Sequence, residues 1–196
     1  MQLDLQLGQA IKGNVEISER NLMLVFQVNC PSCLSRALPM LMRLKEANKG
    51  VNFFALSTAF EDFNLNNAKS TKALMEQGEL TLHSKRYFAQ LGQQKLPYEV
   101  DVPVVMDWFM PTIASSELAE SIFNVFDKER LSQTVMNSIK AHLAQRLLPM
   151  SQMGRTFLNN GFQGTPTWVY FDKDLRIIQS WFGHKEIEWV QALLDK

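Results

Sequence analysis

Apolar residues in this chain come in two patterns, short continuous runs and stretches in which they recur every three or four positions, and the two patterns alternate. Continuous runs mark strands buried on both faces, and the wider spacing marks amphipathic helices. Leu22–Val28, rich in Leu, Val and Phe and bounded by Arg20-Asn21 and by Asn29, is a strand of the first kind. From Cys33 onward, Leu34, Leu38, Leu41 and Met42 keep helical spacing, and the stretch closes on Asn48-Lys49-Gly50, the basic residue and glycine that suit a helix C-terminus. "VNFFALST", residues 51–58, is a second buried strand. Strand, helix and strand within about thirty-five residues make a βαβ unit, with the two strands parallel and the crossover right-handed.

Residues 66–92 read as mainly helical with a break near Gly78, and Val102–Asp107 as a third strand. Ser116–Phe126 has a helical pattern, and Leu131, Val135, Ile139, Leu143 and Leu147 repeat every four residues until Pro149, which is expected to interrupt the helix. Met150, Met153, Phe157 and Leu158 predict one more helix. It should end in "NNGF", with Gly161 in the left-handed conformation and Phe162 packed back on the last turn. Thr167–Phe171 and Ile177–Trp181, joined by Asp172-Lys173-Asp174, form an antiparallel hairpin, and a final helix over Lys185–Leu194 places Ile187, Val190, Leu193 and Leu194 on one face. With no internal repeat, the expected organisation is a single α/β domain over residues 1–196, carrying a helical insertion at about 108–160.

Composition narrows the function more than the fold. At 196 residues and 46% hydrophobic content the chain can bury a core without disulfide staples. Twenty basic residues balance twenty acidic ones, and no Lys/Arg run is long enough to follow a phosphate backbone or an anionic membrane, so nucleic acid and lipid are not expected as partners. The opening residues contain Asp4 and no apolar signal core, and Leu22–Phe26 is too short to span a bilayer. A soluble cytoplasmic protein is expected, or a periplasmic one if a signal peptide has been removed.

The chain has two cysteines, and both lie in "NCPSCLSRAL" where the first buried strand meets its helix. Free backbone N–H groups and the positive end of the helix dipole favour a thiolate at Cys30, and Cys33 lies close enough in a helical first turn to form a reversible disulfide with it. Pro31 suits the first turn because it has no N–H to leave unpaired. Two other readings stay open on the cysteines alone. Either could be a small buried apolar residue, or the pair could be half of a zinc site, although no second CxxC is present and His83, His142 and His184 lack ligand spacing.

Further along, "GTPT" at Gly164–Thr167 immediately precedes a strand. A strand–CxxC–helix opening followed by Thr-Pro at the entry to a later strand resembles the thioredoxin-like superfamily, within it the TlpA-like and peroxiredoxin-related redoxins. The resemblance covers about 13–107 and 150–196. It implies an α/β thioredoxin-like fold, a central mixed sheet flanked by helices, with the helical insertion set into it. The implied activity is thiol–disulfide oxidoreduction through the CPSC motif, with Cys30 attacking, Cys33 resolving, Pro166 as a cis-proline and Thr165 offering its backbone to the substrate. Partners would be a protein or small-molecule disulfide or dithiol and a second redox protein; no cofactor or metal is implied. The alternatives are a redox-inert binding or assembly module on the same fold, and a metal-binding factor.

Departures from the family pattern are specific. Asn29 stands where a Trp is frequent before the first cysteine, Leu24 where thioredoxin buries an acid, and Pro39 one residue later than thioredoxin's helix proline. Gln27 replaces the Thr of the peroxiredoxin nucleophile pattern, which argues against peroxidase chemistry. "DWFMP", residues 107–111, with the chain's ten methionines, is expected to fill core in preference to forming an adaptable apolar substrate surface beside the site, and His184 to serve as a cap or solvent contact without a role in the site.

Overall fold

The computed structural model describes residues 1–109 and 133–195. Six strands, β1 (Leu7–Lys12), β2 (Arg20–Phe26), β3 (Asn52–Ser57), β4 (Val104–Asp107), β5 (Thr167–Asp172) and β6 (Ile177–Phe182), form one sheet in the order β1–β4–β3–β2–β5–β6. Strands β2, β3 and β4 run parallel, while β1, β5 and β6 are antiparallel to their neighbours, so the sheet is mixed. The helices are α1 (Leu38–Ala47), α2 (Ala68–Gln77), α3 (Leu82–Gln90), α4 (Gln133–Ser151), α5 (Arg155–Asn159) and α6 (Ile187–Leu194).

The continuous apolar runs are explained by two cores. Leu22, Leu24 and Phe26 of β2 join Phe53, Ala55, Trp168 and Tyr170 on one face of the sheet, covered by Leu38, Leu41 and Leu44 of α1, Leu74 of α2, Phe88 of α3 and Val190 of α6. The intervening Met23 and Val25 join Phe54, Leu56, Val169 and Phe171 on the other face, under Leu3 and Phe157. A strand sandwiched in this way has no solvent side, so it shows no polar alternation.

Several expectations are corrected here. The helix over 133–151 runs through Pro149 and ends two residues later, because a proline so near the end forfeits hydrogen bonding only in the last turn. Residues 110–132, with the expected Ser116–Phe126 helix and Leu131, lie outside the described residues. Trp108 of "DWFMP" is 40% exposed rather than core, although Met106 just before it is buried. Strand β1 was not expected at all. Its own residues, LGQAIK, carry little apolar pattern, and position 8 is glycine because a Cβ there would meet the Asp107 carbonyl oxygen at 2.9 Å.

Between Cys33 and Ala37 the first helix widens into a single π-helical turn, in which the Leu38 N–H bonds to the Cys33 carbonyl. Pro39 lies directly beyond. In this wider register the Leu34 carbonyl would look to the missing N–H of Pro39, and the Tyr98 hydroxyl donates to it instead. Burial pushes the Tyr98 pKa well up, which keeps the hydroxyl a donor. Beyond the π turn α1 continues into the core with Leu38, Leu41 and Leu44 buried.

At the far end of β4, Asp107 is fully buried. Its carboxylate accepts hydrogen bonds from the Thr58 hydroxyl (2.8 Å), the Thr156 N–H (2.8 Å) and the Phe157 N–H (3.1 Å). Those bonds fasten the start of α5 to the ends of β3 and β4. Gly154 approaches so closely that a Cβ would overlap both the carboxylate and the Thr58 hydroxyl. After α5, Gly161 adopts a left-handed φ of 62°, and the Phe162 N–H bonds to the Phe157 carbonyl, turning the chain toward Thr165 and Pro166.

Candidate active site

Strand β2 releases the chain at Phe26, and the Cys30 N–H bonds back to the Gln27 carbonyl at 3.2 Å, a turn that delivers Cys30 to the start of the first helix. The Cys33 N–H points at the Cys30 sulfur (3.3 Å), and the Ser32 hydroxyl lies 3.3 Å from it. The two sulfurs are at disulfide-bonding distance, with Cα atoms 5.3 Å apart. Their exposure differs. Cys30 is partly exposed, whereas Cys33 is wholly buried in the core beside Leu34 and Ala37. A reagent approaching from solvent therefore meets Cys30 first.

The Thr165–Pro166 peptide is cis, and the Thr165 carbonyl oxygen lies 3.7 Å from the Cys30 sulfur. The Thr165 hydroxyl donates to the Gln27 side-chain oxygen at 3.3 Å, and the Pro166 carbonyl accepts from the Gly183 N–H at 2.8 Å, so the loop is tied to both β2 and the end of β6. All four residues singled out in the sequence, Cys30, Cys33, Thr165 and Pro166, thus belong to one locality although about 135 positions separate the two motifs.

Asn29 is a residue whose part the sequence did not disclose beyond its departure from Trp. Buried to 5% exposure, its side-chain oxygen accepts from the Thr81 hydroxyl (3.1 Å) and the His83 N–H (2.9 Å). Its amide nitrogen donates to Asp62 (2.8 Å), and its backbone N–H donates to the Asn66 side chain (3.0 Å). An amide can hold three partners at once where an indole has a single donor. Asn29→Ala keeps the backbone bond to Asn66 but removes the three side-chain bonds, leaving the His83 N–H without its acceptor, and is expected to lower stability by about 1–2 kcal/mol, read from denaturant melts. An unchanged midpoint would show that the clamp carries no weight.

Beside Cys30 opens a cleft of about 600 Å³, walled by Pro31, Phe60, Glu61, Asp62, His83, Thr165 and Phe182 among others. Phe182, 54% exposed, stands against Gly164, where a Cβ would come within 2.8 Å of the ring. His83, scattered from the cysteines in sequence, reaches this wall with its ring 4.0 Å from Asp62. His184 is half-buried: its Nε2 is shielded and has no hydrogen-bond partner among the described residues, and burial, with Arg36 nearby, pushes its pKa down. No group of three or more His, Cys, Asp or Glu residues among those described is placed to hold a metal ion.

No protein-family model and no curated protein matches the sequence. Solved structures do. A thiol-disulfide isomerase from Corynebacterium glutamicum aligns with a TM-score of 0.60 at 16% identity, over 100% of this chain and 94% of the other. A protein described as of the thioredoxin-like superfamily gives the same values. StoA from Bacillus subtilis aligns with a TM-score of 0.50 at 12% identity, over 97% and 95%. The chain has a thioredoxin-like fold. In that fold the π turn, the Asn29 clamp and the Asp107 anchor are the local means by which this sequence holds a cysteine pair against a proline loop. Among the described residues no helix is long and apolar enough to cross a membrane.

Proposed function

We propose that the protein is a thiol–disulfide oxidoreductase that exchanges disulfides with a protein or small-molecule substrate through Cys30 and Cys33. The observation that carries this reading is the unequal pair itself, one sulfur at a cleft and in contact range of the Thr165 carbonyl, the other sealed beneath it at bonding distance. In the reduced protein the Cys33 N–H and the helix start favour a thiolate at Cys30. That thiolate attacks a substrate disulfide and expels one substrate thiol, leaving a mixed disulfide. Cys33 then attacks the Cys30 sulfur, expels the second thiol and closes the intramolecular disulfide. One disulfide is made and one is reduced, so electrons balance, and a second redox protein restores the dithiol.

Thr165 and Pro166 would line up the substrate strand through the Thr165 backbone, and the whole chain would act as one domain with the insertion set into it. The Corynebacterium glutamicum neighbour is described as a thiol-disulfide isomerase, which supports this reading of the shared fold. The test is alkylation of the full chain after mild oxidant and after dithiothreitol, with intact mass and peptide mapping. Oxidation should remove two hydrogens, about two daltons, reversibly and only at Cys30 and Cys33, and equilibration with glutathione buffers should then give a potential. A pair that stays alkylatable under oxidant would favour a redox-inert binding module, and metal that blocks alkylation would favour the metal-binding factor.

A further inference from the structure

The ionisable side chains on the wall of the Cys30 cleft are Glu61, Asp62 and His83, with no lysine or arginine among its lining residues. Both carboxylates ride on a loop that is pinned rather than loose. The Glu61 carbonyl accepts from the Asn66 side chain (3.0 Å) and the Gln27 side chain (3.5 Å), and the Asp62 carbonyl accepts the Leu65 N–H (2.7 Å) and the Asn66 N–H (2.9 Å). Asp62 itself has a left-handed φ of 47°, and its carboxylate is held by the Asn29 side chain at 2.8 Å. Asn29 is the residue immediately before Cys30, so the negative charge is fastened to the nucleophile's own loop.

From this arrangement we infer that the site selects substrates bearing positive charge beside the reacting sulfur: polypeptides with Lys or Arg within about two residues, ~7 Å along an extended chain, of their cysteine. This rests on the proposed disulfide exchange and adds to it a substrate class. Two carboxylates at the mouth of a concave site, that of Asp62 held by Asn29 and that of Glu61 free to follow a bound cation from its pinned backbone, attract a cation and repel an anion over several ångströms, an effect that salt screens. The positive end of the helix acts oppositely, but only within its first turn, on the Cys30 sulfur itself. Phe60, Pro31 and Phe182 supply apolar surface for the aliphatic stems of such side chains.

The reduced full-length protein is mixed with three disulfides: cystamine, a dication; 2-hydroxyethyl disulfide, which is neutral; and dithiodiglycolate, a dianion. Each rate is divided by that of dithiothreitol with the same disulfide, to remove intrinsic reactivity. The normalised rates should fall in that order, with cystamine about tenfold ahead of dithiodiglycolate at about 20 mM salt and the gap closing near 1 M. In E61Q/D62N, or in E61Q alone should the double variant not fold, the cation-to-anion ratio should shrink by at least about threefold. The salt series on the unmutated protein gives an answer independent of folding. Equal normalised rates, or preference for the dianion, overturn the charge selection while leaving disulfide exchange standing; no reaction with any of the three disulfides overturns the exchange itself.

Discussion

Cys30→Ser is expected to abolish disulfide exchange, lowering turnover by at least about a thousandfold, because a hydroxyl at this position offers no thiolate and the buried sulfur of Cys33 cannot reach a substrate in its place. Cys33→Ser should behave differently. Cys30 remains at the cleft with the backbone N–H of residue 33 still directed at it, so attack persists while resolution is lost, and mixed disulfides accumulate. Non-reducing gels of both variants, with iodoacetamide rates from about pH 5 to 9, separate the two cases. Mixed disulfides trapped through Cys33 in the Cys30→Ser protein, or equal alkylation rates for the two thiols, would reverse the assignment of roles.

Asp107→Ala should produce the largest loss of stability. The buried carboxylate is the acceptor for the Thr58 hydroxyl and for the N–H groups of Thr156 and Phe157, and alanine would leave all three without it in a site closed to water. A loss of about 3–4 kcal/mol is expected, a fall of about 10 °C in Tm for a chain of this size. Because these bonds anchor the segment leading to Thr165 and Pro166, exchange activity should weaken as well. Burial raises the Asp107 pKa above the ordinary carboxylate range, against the opposing pull of its hydrogen bonds from Thr156, Thr58 and Phe157. In the window between the ordinary and the raised value the folded protein therefore binds more protons than the unfolded chain. This group's contribution to stability is full below that window and declines as pH rises through it. Asparagine cannot titrate, so the advantage of the unmutated protein over Asp107→Asn should be larger near pH 4 than near pH 7 in denaturant melts. A difference that grew with pH instead would mean that the hydrogen bonds outweigh burial.

Taken element by element, the interior was the most legible part of the sequence. Leu22–Val28 and "VNFFALST" announced strands β2 and β3, and the helix spacing between them announced a parallel pair, which is found with Leu22 opposite Phe53 and Leu24 opposite Ala55. Strand β5 was legible for the same reason, and the largely exposed β6 through the tight turn at Asp172-Lys173-Asp174, the two pairing antiparallel with Trp168 opposite Trp181. Burial on both sides of a sheet leaves a strong one-dimensional trace. Strand β1 left a weak one, since an edge strand with polar residues at Gln9 and Lys12 needs little apolar sequence.

The sequence alone determined that two thiols stand at a strand–helix junction with a Thr-Pro loop to follow, because those features depend on neighbouring residues and on the periods of helix and strand. What only the tertiary structure decided is which distant groups meet them. Thr81, His83 and Asp62 converge on Asn29, Tyr98 supplies the donor that Pro39 withholds from Leu34, and Thr58 and Thr156 close on Asp107, across separations of 33 to 64 positions. A polar residue records in sequence its capacity to hydrogen-bond but not its partner. The partner is chosen by the packing of the sheet and its helices, which brings these side chains together where water is excluded and leaves them nothing else to bind.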